Sequence, residues 1–111
     1  MTPRLAADFW VRAYLARLEQ AGIPAFVTAK GDATAGAVLV KVASFDGQAK
    51  VYQRSFDMNA DARVWVVLSE GSDAAVDSTI AKQRSFDRDL WVIEVEDRHG
   101  RSLLDEQGLS E

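Results

Sequence analysis

One stretch near the C-terminal end most restricts what this chain can fold into. In Leu90 to Asp97, the odd positions 91, 93 and 95 hold apolar residues, and Glu94 and Glu96 occupy two of the even positions. Alternation with a period of two is typical of a β-strand that buries one face. The sequence therefore predicts a half-buried strand whose outer face carries two carboxylates, roughly 7 Å apart at the rise of a strand.

The overall composition bounds the class of protein. The chain has 111 residues, no cysteine and a formal net charge of -4, which together indicate one globular domain without disulfides, thiolate metal sites or a cysteine nucleophile. The acidic balance disfavours nucleic-acid binding, which depends on neutralising phosphates. No apolar run approaches the roughly 18 residues that cross a bilayer, so we expect a cytoplasmic protein without membrane contact.

The first predicted element is a helix over residues 5–21. Its apolar residues recur at helical spacing, which is typical of an amphipathic helix. Thr2 before Pro3 can cap its start. Gly22 and Pro24 end it, because glycine accepts a left-handed cap and proline cannot continue a helix.

Strand candidates follow at residues 25–30, 37–43, 50–56 and 63–69. The pair Asp46-Gly47 between the second and third of these predicts an antiparallel hairpin. Ser72 or Asp73 can cap a second helix that runs to about Arg84. Strand, helix and strand in that order predict that segment 63–69 pairs in parallel with the strand at 90–97 through a crossover.

These elements predict an α+β fold in the order α-β-β-β-β-α-β. We expect a mixed, mainly antiparallel sheet of about five strands, with both helices packed on one face. Residues 1–104 form the predicted single domain, and 105–111 form a frayed C-terminal tail.

The charged strand face is the candidate site for a ligand or an ion. It comprises Glu94 and Glu96, with Asp87 beside them and Lys41 and Arg84 as anion contacts. Carboxylates in this arrangement can serve as acid-base groups or bind a hard cation. The alternative is that they pair with Lys41, Arg54 or Arg63 on neighbouring strands. No spacing typical of a metal site occurs, so we predict neither a metal nor a cofactor.

The only histidine, His99, lies in a predicted turn. No serine occurs in a nucleophile-elbow setting such as GxSxG, so a serine-histidine-carboxylate mechanism is disfavoured. The absence of nucleophile patterns favours a non-enzymatic protein.

Phe9 and Trp10 make the first helix apolar over more of its circumference than one core requires. Exposed apolar surface of this kind marks protein interfaces. We therefore predict an interface with a second copy or with another protein, formed by Phe9 and Trp10 of this helix or by an edge of the sheet.

The chain also resembles a small alphaproteobacterial family that is known only as a domain of unknown function. The similar segments are Phe9 to Val11 with Leu15 to Arg17, Lys30 to Asp32 with Ala35 to Val42, and Gln83 to Gly100. The chain departs from the usual pattern at Arg88, where proline is common, and at Lys30, where arginine is common. The resemblance implies one compact bacterial domain, and it implies no activity, substrate or catalytic residue.

Together these observations favour a non-enzymatic binding or assembly module that forms homo-oligomers. The alternative is a small carboxylate-dependent hydrolase or ligand-binding enzyme that uses the Glu94 and Glu96 strand face, with a substrate that the sequence does not identify.

Overall fold

The computed structural model describes residues 5–110. Its elements are α1 (Ala7–Gln20), β1 (Ala25–Ala29), β2 (Val38–Ala43), β3 (Gln48–Asp57), β4 (Ala62–Ser72), α2 (Asp73–Phe86) and β5 (Trp91–Glu96). The predicted α+β class and element order are confirmed. Among the helices of this part of the chain, none is long and apolar enough to span a membrane.

The five strands form one mixed sheet in the order β1-β5-β2-β3-β4. β5 pairs in parallel with β2, and the other three pairings are antiparallel. The predicted parallel partner of β5 was wrong, because α2 carries the chain from β4 past both β3 and β2, so that β5 lies between β1 and β2. β5 is therefore an interior strand, and β1 and β4 are the two edges.

The two helices pack on opposite faces of the sheet, which corrects the prediction that both cover one face. α1 packs on alternate residues of β2 and β5, including Val40 and Ile93. Val76 and Ile80 of α2 pack on the intervening residues, including Leu39 and Val92. β2 and β5 are thus buried on both faces, which is why their sequences also carry apolar residues at positions that strict alternation would leave polar.

α1 forms because its apolar positions recur at helical spacing, and it buries Tyr14 and Leu18 completely. Its cap residue Ala6 supplies no side-chain hydrogen bond. Instead, the amides of Ala7 and Asp8 donate to the carbonyls of residues 34 and 33 in the loop between β1 and β2. These bonds satisfy donors that a helix start leaves without partners. The predicted cap at Thr2 and Pro3 lies outside the described residues.

The predicted hairpin and second helix are both confirmed. β2 and β3 pair antiparallel around the turn at Asp46, whose carboxylate accepts from the amide of Gln48. The Ser72 hydroxyl accepts a hydrogen bond from the Ala75 amide at the start of α2. Such a cap stabilises a helix by about 1 kcal/mol.

Residues 105–110 pack against the domain, whereas the sequence predicted a frayed tail over 105–111. Leu109 is only 6% exposed and belongs to the core on the α1 side of the sheet. Its carbonyl accepts a hydrogen bond from the Trp65 indole, and Arg17 forms an ion pair with Glu106 at 2.9 Å. The tail therefore packs on the α1 side of the sheet, where it contacts α1 and Trp65 of β4.

Candidate functional site

Lys41 lies at the centre of a charged cluster on the α2 side of the sheet. Its side chain is only 4% exposed, and its Nζ lies 2.7 Å from Asp73, 2.8 Å from Asp77 and 3.2 Å from Glu94. An ammonium group has three N–H donors, so each donor can meet one carboxylate. The cluster consequently leaves no donor of Lys41 for an anion.

The fold explains why these four side chains meet. Lys41 and Glu94 are register partners on the parallel strands β2 and β5, so their side chains share a face. α2 begins directly after β4, and Asp73 and Asp77 are four residues apart on the side that faces Lys41. Side chains with this spacing lie on the same face of a helix.

The electrostatics of the cluster favour a charged lysine. Burial alone lowers the pKa of Lys41, but hydrogen bonds to Asp73, Asp77 and Glu94 outweigh burial and raise the pKa well above its ordinary value. Lys41 therefore stays protonated throughout the neutral range, so it cannot serve as a general base there.

The structure brings together only part of the predicted site. The Arg84 guanidinium donates to the carbonyls of Arg88 and Leu90, and the Asp87 carboxylate accepts from the amide of Asp89. Both residues therefore brace the turn between α2 and β5. Glu96 lies at the end of β5, where its amide donates to the carbonyl of Pro24.

Sequence reasoning missed Asp73 and Asp77 as members of the cluster. Acidic residues in the first turns of a helix are explained by the helix dipole alone, so their presence carried no signal of a buried partner. The available signal was the single lysine within the otherwise apolar run of β2, since a buried charge requires partners.

The cluster does not have the features of a metal or catalytic pocket. Among residues 5–110, no group of three or more histidine, aspartate or glutamate side chains has an arrangement that could hold a metal ion. A cleft of about 190 Å³ lies on the α1 side, where His99, Lys50 and Glu70 contribute to its lining. Neither this cleft nor the groove described below is lined by Glu94, Glu96 or Asp87.

The two residues of the predicted aromatic interface have different environments. Trp10 is 2% exposed, and its ring stacks on Tyr14 at 4.9 Å between centroids. The Arg54 guanidinium lies 4.6 Å from the Trp10 ring and 4.7 Å from the Trp65 ring. Phe9 is 54% exposed, so only Phe9 of the predicted pair presents its ring at the surface.

The loop over residues 31–36 holds α1 against the turn before β5. The Trp91 indole donates to the Asp32 carbonyl at 2.7 Å, and the Asp32 amide donates to the Asp89 carbonyl at 3.0 Å. A Cβ added at Gly31 would lie 2.1 Å from the Asp89 carbonyl oxygen, and one at Gly36 would lie 2.4 Å from it. The two glycines are therefore needed for close packing of backbone on backbone.

β1 forms an exposed edge of the sheet. β1 pairs with β5 on one side only, and none of its five residues is charged. Phe26 is 45% exposed and Val27 is 37% exposed. A groove of about 590 Å³ lies between α1 and the turn that precedes β1, and it reaches the strand at Ala25. It is lined by residues of α1 that include Arg12, Ala16 and Glu19.

Comparisons with other proteins identify related chains without identifying an activity. A family model described as a protein of unknown function, DUF1491, matches residues 5–105. Among curated proteins, none matches this chain.

Solved structures match over most of the chain. A crystal structure of a DUF1491 family protein from Caulobacter crescentus is 36% identical, covers 92% of this chain and 94% of that one, and has a TM-score of 0.82. An NMR structure of a DUF1491 family protein from the same organism is 36% identical, with coverages of 95% and 96% and a TM-score of 0.80. A solution structure of a protein from A. tumefaciens is 29% identical, with coverages of 85% and 86% and a TM-score of 0.72. These matches confirm the resemblance to an alphaproteobacterial family of unknown function.

Proposed function

This chain belongs to the DUF1491 family of proteins of unknown function, and we propose that it is a non-enzymatic cytoplasmic binding or assembly module that associates through the open edge of β1. The observation that carries this proposal is the uncharged, partly apolar outer edge of that strand. The absence of cysteine is consistent with a reducing compartment.

An unprotected edge strand is a template for pairing, because its outer amides and carbonyls are available to another strand. Proteins normally protect such edges with charged residues. The opposite edge, β4, carries Arg63 and Glu70, whereas β1 carries no charge. Residues Ala25 to Val27 keep regular register with β5, and the irregularity is confined to Thr28. This regular segment can accept an added strand by the β-augmentation seen in peptide-binding domains.

The charged face supports a non-enzymatic role. A catalytic carboxylate is expected in a concave site, with its environment perturbed by burial or crowding. Glu94 is instead in an ion pair with Lys41, and Arg84 and Asp87 bond to the backbone of a turn. These three side chains therefore have partners within the fold, and their positions are explained without a substrate.

Native mass spectrometry on the tagged protein, gently isolated from its own cytoplasm, tests the proposal. We expect a complex with a second polypeptide, of the same or a different sequence. Val27→Lys places a charge on the β1 edge and should remove that complex. Val67→Lys is the matched control, because Val67 is a similarly exposed valine on the other edge strand.

A complex that persists in Val27→Lys would overturn the assignment of the β1 edge. A monomer that carries a stoichiometric small molecule or metal ion, lost in a Glu94→Gln, Glu96→Gln variant, would overturn the non-enzymatic proposal in favour of the carboxylate enzyme.

A further inference from the structure

The outer face of α1 and the edge of β1 form one continuous surface. Arg12, Ala16 and Glu19 of α1 line the groove that ends at Ala25, the first residue of β1. Within residues 5–110, no ion pair involves Arg12 or Glu19. A partner that adds to β1 must also lie against these two charges.

We infer that this partner is a second copy of the chain, joined by antiparallel pairing of β1 with β1 about a two-fold axis. The inference rests on the proposed function and specifies the partner. A two-fold axis perpendicular to the sheet does not exchange the two faces of the sheet, so the α1 faces of both copies lie on the same side. The two α1 helices therefore lie side by side on one face of a continuous sheet of ten strands, since each copy contributes five.

The bounds of α1 and β1 give an estimate of where a two-fold axis through β1 would cross α1. α1 ends at Gln20, and the chain turns back to begin β1 at Ala25. From Ala25 to Val27, the middle of β1, the strand rises roughly 7 Å. The same rise corresponds to about four or five helical residues, which leads back from Gln20 to Leu15 or Ala16. The axis through the middle of β1 therefore passes α1 near Leu15 and Ala16.

The charges on α1 are self-complementary about that point. Leu15 and Ala16 lie midway between Arg12 and Glu19 along α1, so a two-fold axis there places Arg12 of each copy opposite Glu19 of the other. An interface with two-fold symmetry requires this reciprocity, in which each residue meets its partner twice. The small side chain of Ala16 leaves room at the centre.

The same complementarity selects a second copy over an unrelated chain. Each copy has a net charge of -4, so two copies repel each other unless local contacts offset that repulsion. Two Arg12 to Glu19 pairs provide that offset at the interface. The exposed Val27, the register partner of Ile93, supplies apolar surface on the same face of the sheet as α1. The exposed Phe26, the register partner of Glu94, supplies apolar surface on the opposite face.

Charge reversal tests the arrangement directly by sedimentation equilibrium. Arg12→Glu alone and Glu19→Arg alone each convert two attractive contacts into two repulsive ones, and each should weaken self-association about tenfold or more. The double variant Arg12→Glu, Glu19→Arg should restore the wild-type dissociation constant. An equimolar mixture of the two single variants should form a heterodimer, because both contacts are then attractive again.

Lys82→Glu is the control, because it makes the same change in charge on an exposed position of α2, on the opposite side of the sheet. It should leave self-association unchanged, and circular dichroism should show that all variants fold. A wild-type protein that stays monomeric at its highest attainable concentration would overturn the two-fold arrangement. Single variants that associate as tightly as the wild type would overturn it as well. The proposed function has a separate test. It fails if Val27→Lys removes no complex with a second polypeptide, whether of the same or of a different sequence.

Discussion

The Nζ of Lys41 lies 3.2 Å from the carboxylate of Glu94, its register partner on the neighbouring parallel strand. Asp73 and Asp77 complete the coordination of the same ammonium group from α2. This relationship joins α2 to the middle of the sheet by charge, beside the apolar contacts of Val76 and Ile80. It also defines the strand face that the sequence marked as a candidate site.

Lys41→Met should destabilise the fold by about 2–4 kcal/mol, because it leaves three carboxylates close together without the cation that they share. Urea denaturation at neutral pH measures this change. Since the pKa of Lys41 is raised from its ordinary 10.5, the contribution is fully present below that value and is lost only as the pH rises through the higher folded-state value.

Lys50→Met is the matched control for this substitution. Lys50 is about half exposed, and its ion pair with Glu70 is longer, at 3.7 Å, so its removal should change stability by about 0.5 kcal/mol or less. Equal losses in the two variants would contradict a special role of the Lys41 cluster.

Asp97→Asn should remove part of the acid sensitivity of the protein. The Arg101 side chain hydrogen-bonds to Asp97 and lowers the pKa of this carboxyl to about 2, against the opposing effect of burial. The lowered pKa contributes stability above the ordinary value of 3.8, and this contribution is lost as the pH falls through about 2. We expect a cost of about 1–2 kcal/mol at neutral pH.

Denaturant unfolding of the wild type and of Asp97→Asn, followed from neutral pH to about pH 2, measures this difference. The two stability curves should converge at the acidic end. Asp61→Asn, in an exposed turn, is the control and should follow the wild type throughout. Parallel curves for Asp97→Asn and the wild type would contradict the prediction.

Gly31→Ala should destabilise the protein by about 2–3 kcal/mol, because its Cβ would collide with the Asp89 backbone and with the Trp91 ring. Gly22→Ala offers a contrast, since Gly22 has a φ of +74° and open space around it. Its cost should be confined to backbone strain of about 1 kcal/mol. Thermal unfolding of both variants should therefore show the lower melting temperature for Gly31→Ala.

Trp10→Ala and Phe9→Ala should differ sharply although the two residues are adjacent. Removal of the buried Trp10 ring should cost about 3–5 kcal/mol of stability, since the ring packs on Tyr14 and Arg54. Removal of the exposed Phe9 ring should cost less than about 1 kcal/mol. Chemical denaturation measures both values, and a small loss for Trp10→Ala would show that this ring is not part of the core.

Local patterns in the sequence predicted most of the elements, because caps, turn residues and hydrophobic periodicity act over a few positions. Gly22 and Pro24 marked the end of α1, and Ser72 marked the start of α2. The partners of strands were harder to predict. β5 inserts between β1 and β2, a relationship between segments about 50 residues apart that no local pattern encodes.

Only part of the candidate site was predicted, because its members come from segments that are distant in the sequence. Lys41 and Glu94 were both identified, and the alternative in which they form an ion pair describes the observed geometry. Asp73 and Asp77 were explained locally by the helix dipole, so their role depended on knowing which face of the sheet α2 covers. Trp10 was assigned to an interface because the tail and β4, which help to bury it, lie far away in the sequence.

Hydrogen-deuterium exchange at low and high protein concentration tests whether the protein associates through β1. We predict that amides over 25–29 exchange more slowly at high concentration, because their outer groups become hydrogen-bonded to a second chain. Amides over 62–72, on the opposite edge, should be unaffected. Unchanged exchange over 25–29, or new protection confined to 62–72, would show that β1 is not the site of association.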